Sequence, residues 1–138
     1  RWRWITSTLN ASEEPAMTLN VQQTIPTFRI FSVDKAKEFY VDFLGFTVDW
    51  EHRFEDVAPV YIQVSRAGLV LHLTEHHGDA CPGSTVFVRV SGLRDYHAEI
   101  SAKGYGYLRP GVQATFHDSI QMEVIDPFGN RIRFDEMT

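Results

Sequence analysis

From about residue 24 to its end the chain repeats itself at a spacing of about sixty residues, which restricts the fold more than any other feature. Val33 is matched by Leu93, and Leu44-Gly45-Phe46 by Lys103-Gly104-Tyr105. Val60, Ile62 and Val64 are matched by Ile120, Met122 and Val124, and Gly68 and His72 by Gly129 and Arg133. The spacing drifts by single residues where loops absorb the difference. In the first copy Val33, Ala36, Phe39, Tyr40, Phe43 and Leu44 lie on one face of a helix. Ser32 stands at its N-cap, Asp34 in its first turn and Gly45 at its end. Leu93, Tyr96 and Ile100 mark the second helix, closed by Gly104. Strand-forming alternation predicts strands over 25–31, 46–54, 59–65 and 69–74, then over 85–90, 111–116, 119–125 and 131–134. The loop 75–84 divides the copies. The fold class is therefore α+β: two β-α-β-β-β modules, about 24–75 and about 84–136, in a single domain spanning 17–138. Neither module buries both its helix and its sheet alone, so the two must pack together.

Composition removes several function classes. Hydrophobic residues make up 43% and charged residues 22%, enough for an ordinary core. No apolar run is long enough to span a bilayer, so no membrane partner is expected. The single cysteine, Cys81, excludes an intrachain disulfide and a cysteine-based zinc site. The balance of 13 basic against 18 acidic residues has the wrong sign for nucleic acid, and it suits a cationic small molecule. Residues 1–16, opening Arg1-Trp2-Arg3-Trp4, read as a flexible addition foreign to the fold, with Met17 as the natural start. They hold no signal-peptide apolar stretch, and with the unpaired Cys81 this leads us to expect a cytoplasmic protein.

Catalytic motifs are sparse. Cys81-Pro82 sits in a loop without a nucleophile signature, and Gly104-Tyr105-Gly106 lacks the context of a phosphate loop. His76-His77 reads as a solvated loop pair, and His52, His97 and His117 lack carboxylates at ligand spacing. Strand 48–56 is more informative. Strict alternation places Val48, Trp50, His52 and Phe54 on one face, while Asp49, Glu51, Glu55 and Asp56 surround Arg53. Aromatic faces stack on planar rings, and carboxylates attract a cationic tail.

Phe39-Tyr40 followed by Leu44-Gly45-Phe46, and Asp126-Pro127-Phe128-Gly129-Asn130 before a final strand, resemble the vicinal oxygen chelate superfamily. That superfamily includes glyoxalase I, extradiol dioxygenases, fosfomycin-resistance transferases and bleomycin-resistance proteins. Ile25-Pro26, and Trp50 followed by Phe54, are most similar to the bleomycin-resistance branch. The resemblance implies curved mixed sheets around a cleft and a homodimer, with elements exchanged between subunits as one form of it. It implies metal-independent sequestration of a cationic, bleomycin-type glycopeptide antibiotic, with no catalytic residue and no cofactor. The implied ligand-binding residues are Trp50, Phe54, His52, Asp49, Glu51, Phe116 and Asp118, with Phe116 standing where the branch often has tryptophan. The superfamily's four metal positions read Ile25, His72, Thr85 and Arg133, of which only His72 is a competent donor. Two alternatives stand beside this reading. One is a metal-dependent lyase, transferase or dioxygenase using His72, with Glu123 or a partner subunit completing the set. The other is a non-catalytic binder of a different metabolite.

Overall fold

The structure, a computed structural model, describes residues 17–53, 55–57 and 59–138. The expectations for residues 1–16 and for Phe54 lie outside the described residues. The first module runs β1 (Thr27–Arg29), α1 (Val33–Lys37), β2 (Thr47–Arg53), β3 (Val60–Arg66) and β4 (Leu69–Thr74). The second runs β5 (Thr85–Arg89), α2 (Leu93–Ser101), β6 (Val112–Ala114), β7 (Ser119–Ile125) and β8 (Arg131–Met137). Their sheets have the same order, β1-β4-β3-β2 and β5-β8-β7-β6, each with one parallel pair and two antiparallel pairs. The repeat in the sequence is thus a repeat in space.

Each helix covers one face of its sheet, and the covered faces merge into one core. Phe28, Ile30, Ile62, Val64, Leu71 and Leu73 from the first sheet join Met122, Val124, Ile132 and Phe134 from the second. Phe39, Tyr40, Phe43, Leu44, Leu93 and Ile100 fill the space between them. Ser32 caps α1 as expected, its hydroxyl accepting from the Lys35 N–H at 3.2 Å. The expected single helix 33–44 instead widens into a π-helical turn at Glu38–Phe43, so that Leu44 N–H reaches the Phe39 carbonyl. The wider turn brings Phe39, Tyr40 and Phe43 together into the core. Gly45 then takes a φ of +78°, and a Cβ there would collide with the Arg66 guanidinium that caps the Leu44 carbonyl.

Polar bonds between the modules fix their relative placement. The Tyr40 hydroxyl donates to the Asp126 carboxylate at 2.7 Å, and the Asn130 amide donates to the Arg29 carbonyl at 2.8 Å. Arg66 forms a two-pronged ion pair with Glu99 and lies over the Tyr96 ring. Asp126 belongs to the Asp-Pro-Phe-Gly-Asn turn, so the motif that carried the family resemblance also joins the two halves.

Candidate functional site

The sheet faces turned away from the helices are open in part, with Thr74, Ser119 and Asp135 buried on them, and alternation along each strand decides what they display. On the first sheet the open face carries Thr27 and Arg29 from β1, Val70, His72 and Thr74 from β4, and Tyr61, Gln63 and Ser65 from β3. A β-bulge in β2 alters the expected pattern. Val48 pairs with Val64 on the core side, Asp49 is extra, and Trp50 then pairs with Gln63 and His52 with Tyr61 on the open side. This corrects the expectation that Val48 shares a face with Trp50. Glu51 pairs with Ile62 on the helix side, opposite Trp50 as alternation placed it, and its carboxylate is held by Lys37 of α1.

The result is an aromatic platform. The Trp50 and Tyr61 rings stack with centroids 6.0 Å apart and planes 9° from parallel, and His72 meets both edge-on at 5.4 and 5.1 Å. Trp50 remains 42% exposed, so its ring is available to a ligand. A polar chain runs beneath. The Tyr61 hydroxyl lies 2.8 Å from His72 Nδ1, and His72 Nε2 lies 3.0 Å from Gln63 Oε1. Gln63 Nε2 donates to Asp49 at 3.1 Å, and the Ser65 hydroxyl donates to the same carboxylate at 3.0 Å. Since Gln63 Oε1 can only accept, Nε2 of His72 carries the proton and Nδ1 accepts from Tyr61. Burial holds the His72 imidazole below its ordinary pKa. Asp49, the bulged residue, is thus the anchor of this chain.

Sequence reasoning singled out Trp50, His52, Asp49 and His72, and the structure brings all four to this face. It did not single out Tyr61 and Gln63, although the alternation of Val60, Ile62 and Val64 already implied that Tyr61, Gln63 and Ser65 face the other way. Phe116 and Asp118 lie elsewhere, in the turn between β6 and β7 of the second sheet. Phe116 is 97% exposed against the His117 ring, and the Asp118 carbonyl accepts from the backbone and hydroxyl of Thr138.

The open face of the second sheet is charged. Glu123 bridges Arg131 and Arg133, both at 2.8 Å, and the Arg133 hydrogen bond comes first among the causes that lower its carboxyl pKa. The Asp135 carboxylate, fully buried, accepts from Ser119 at 2.7 Å, Gln121 at 3.1 Å and His117 at 3.2 Å, and meets Arg89 at 3.1 Å. Burial raises its pKa, but these hydrogen bonds and the Arg89 charge together lower it. The predicted end of the last strand at Phe134 is therefore too early. Asp135 is a strand residue that these donors allow to be buried.

The register also tests the metal positions implied by the family resemblance. The first-strand neighbours of His72 and Arg133 are Thr27 and Phe87, not Ile25 and Thr85. These positions thus offer a hydroxyl, a phenyl ring, a guanidinium bound to Glu123, and a histidine with both ring nitrogens engaged. That donor set does not fit a divalent ion. Glu123, the alternative ligand, is held by its two arginines. Among the described residues no three His, Cys, Asp or Glu side chains converge at metal-binding distances.

The His72 state is directly measurable. A 15N-detected NMR titration should show the Nε2–H tautomer at neutral pH and a pKa below the ordinary histidine value. Because the folded pKa is depressed, His72 contributes stability that is fully present above the unfolded pKa and is lost as the pH falls through the folded one. An Nδ1–H tautomer, or a raised pKa, would contradict the hydrogen-bond chain.

Known proteins share this architecture. A bleomycin-binding protein solved in complex with bleomycin aligns with a TM-score of 0.65 at 20% identity, over 86% of this chain and 100% of that one. An antibiotic-binding protein from a Streptomyces species, TnmS3, aligns with a TM-score of 0.65 at 21% identity, over 91% and 100%. A glyoxalase-related enzyme from Clostridium phytofermentans aligns with a TM-score of 0.68 at 16% identity, over 87% and 98%. At these identities the likeness shows the fold, which both binding proteins and an enzyme-related protein share. No curated protein sequence matches the chain. A sequence profile described as "Glyoxalase superfamily protein" matches residues 10–138, and the chain belongs to that superfamily.

Proposed function

We propose that this chain is a non-catalytic binding protein that captures a small molecule through a planar ring laid on the Trp50 platform. One observation carries the reading: the histidine at the superfamily's metal position is a hydrogen-bonded part of an aromatic platform, with no free ring nitrogen. A bleomycin-type antibiotic, which offers a planar bithiazole, is one ligand of this kind. The cationic half of that assignment loses support, since Glu51 faces the helix. Asp49 retains its carboxylate on the open face. That shift favours the second reading, a planar metabolite other than a cationic glycopeptide.

The open faces also support pairing of chains. Trp50, Phe87 at 49% and Met137 at 51% exposure lie uncovered on the two sheets. Residues 17–24 precede β1 outside any helix or strand with Met17, Leu19 and Val21 exposed, and this segment is the element we assign to exchange between subunits. Sedimentation at micromolar concentration should give a dimer, whereas a well-folded monomer would remove the covered cleft.

The functional test is a calorimetric titration with metal-free bleomycin in the presence of a chelator. Saturable binding that leaves the ligand chemically unchanged supports the reading. Absence of heat up to high micromolar bleomycin would exclude the bleomycin-type ligand, and modification of the ligand would exclude non-catalytic capture.

A further inference from the structure

Arg29 stands on the same open face as the platform, in the row Arg29–Thr74–Tyr61–His52 across β1, β4, β3 and β2. Two strand spacings separate Arg29 from Tyr61, about 10 Å between Cα atoms. Most cations on the sheets are already neutralised: Arg66 by Glu99, Arg89 by Asp135, and Arg131 and Arg133 by Glu123. Arg29 meets no carboxylate among the described residues. Its guanidinium lies over the Phe31 ring at 4.5 Å, and its buried Nε–H has no acceptor. A buried donor of a charged group left without an acceptor is unfavourable, and such groups are otherwise found paired. Thr74, paired with Arg29 in the row, donates its hydroxyl to Asp79 of the loop after β4 at 2.7 Å.

We infer that Arg29 receives an anionic group of the ligand, so that the site selects planar aromatic acids over planar cations. This rests on the ring-capture reading and specifies its ligand. The guanidinium fork matches a carboxylate, carried toward β1 by a ring on Trp50 and Tyr61, through paired N–H donors. Thr74, the one residue between Arg29 and Tyr61 in this row, is buried and gives its hydroxyl to the Asp79 carboxylate, which makes no ion pair with Arg29 among the described residues. The overall acidity of the chain does not oppose this, because local pairing and not net charge decides which group a half-buried arginine meets.

The test titrates the full chain, in chelator, with 2-naphthoate, the uncharged 2-naphthamide and the cationic 2-naphthylmethylammonium. The wild-type chain should bind naphthoate about tenfold more tightly than the amide, with the ammonium weakest. Arg29→Met should equalise naphthoate and amide, and Arg29→Lys should keep part of the preference. The lysine variant carries the test if the methionine variant does not fold. Equal binding of naphthoate and amide by the wild-type chain would overturn the inference, as would a preference that survives in Arg29→Met or is lost no further in Arg29→Lys than in wild type. Failure of ring capture itself is distinct: there Trp50→Ala would leave amide binding unchanged, or none of the probes would bind, and the inference would fall with it.

Discussion

Asp126→Ala is expected to lower the unfolding free energy by about 3–5 kcal/mol, enough to remove a large share of the stability of an ordinary domain. The carboxylate is buried and accepts four hydrogen bonds: from the Tyr40 hydroxyl at 2.7 Å, the Phe128 N–H at 2.9 Å, the Asn130 N–H at 2.8 Å and the Asn130 side-chain amide at 2.9 Å. Truncation leaves all four donors without an acceptor and detaches the second module's turn from the first module's helix. Asp126→Asn keeps one acceptor oxygen, so its loss should be about half as large. Burial raises the Asp126 pKa, ahead of the opposing hydrogen bonds from Asn130 and Tyr40. With a raised folded pKa, an acid's contribution is greatest at low pH and declines as the pH climbs through the interval between the unfolded and folded values. That slope should vanish in Asp126→Asn. Urea denaturation across an acid pH series measures both effects, and an alanine variant within about 0.5 kcal/mol of wild type would contradict the account of how the modules are joined.

Trp50→Ala should have the largest effect on binding with little effect on folding. The indole is 42% exposed and contributes to no part of the buried core, so its removal should change stability by about 1 kcal/mol or less. For a stacked ring, loss of the aromatic partner costs about 0.5–1.5 kcal/mol beyond the area it buries. Adding the apolar area lost from a large indole raises the expected penalty to about 2–3 kcal/mol, or roughly thirty- to more than a hundredfold in Kd. Trp50→Phe should recover part of it. Tyr61→Phe tests the support beneath: it keeps the stack but deprives His72 Nδ1 of its donor, so the His72 pKa should change while ring affinity changes little.

The architecture was legible in the sequence because both modules use the same devices. The helix stripes, the alternating strands and the paired turns recur closely enough to be matched residue by residue. Two strands, 69–74 and 119–125, begin and end where alternation placed them. The differences arise where a tertiary contact overrides local pattern. Asp49 looks like one more residue of an alternating strand, yet its carboxylate is drawn onto the open face by Gln63 and Ser65, and the bulge rotates Val48 away from Trp50. Asp135 looks like the polar end of a strand, yet donors from β7, the turn before it and β5 make it a buried one. Arg29 alternates with Phe28 and Ile30 and could have been placed on the open face from the sequence. That it meets no carboxylate among the described residues could not, because its neighbours are set by the pairing of β1 with the distant β4. The register of parallel neighbours, Thr27 beside His72 and Phe87 beside Arg133, was equally out of reach.

The central claim is that a planar ring binds on Trp50 without a metal and without chemistry. Calorimetric titration of 2-naphthoate into wild-type and Trp50→Ala chains, both in excess chelator, tests it most directly, with the ligand recovered and checked for integrity. The account predicts saturable binding to the wild-type chain, at least tenfold weaker in the variant, and ligand recovered unchanged. Binding that requires added divalent ion, ligand returned as a product, or equal affinity in the two chains would contradict it.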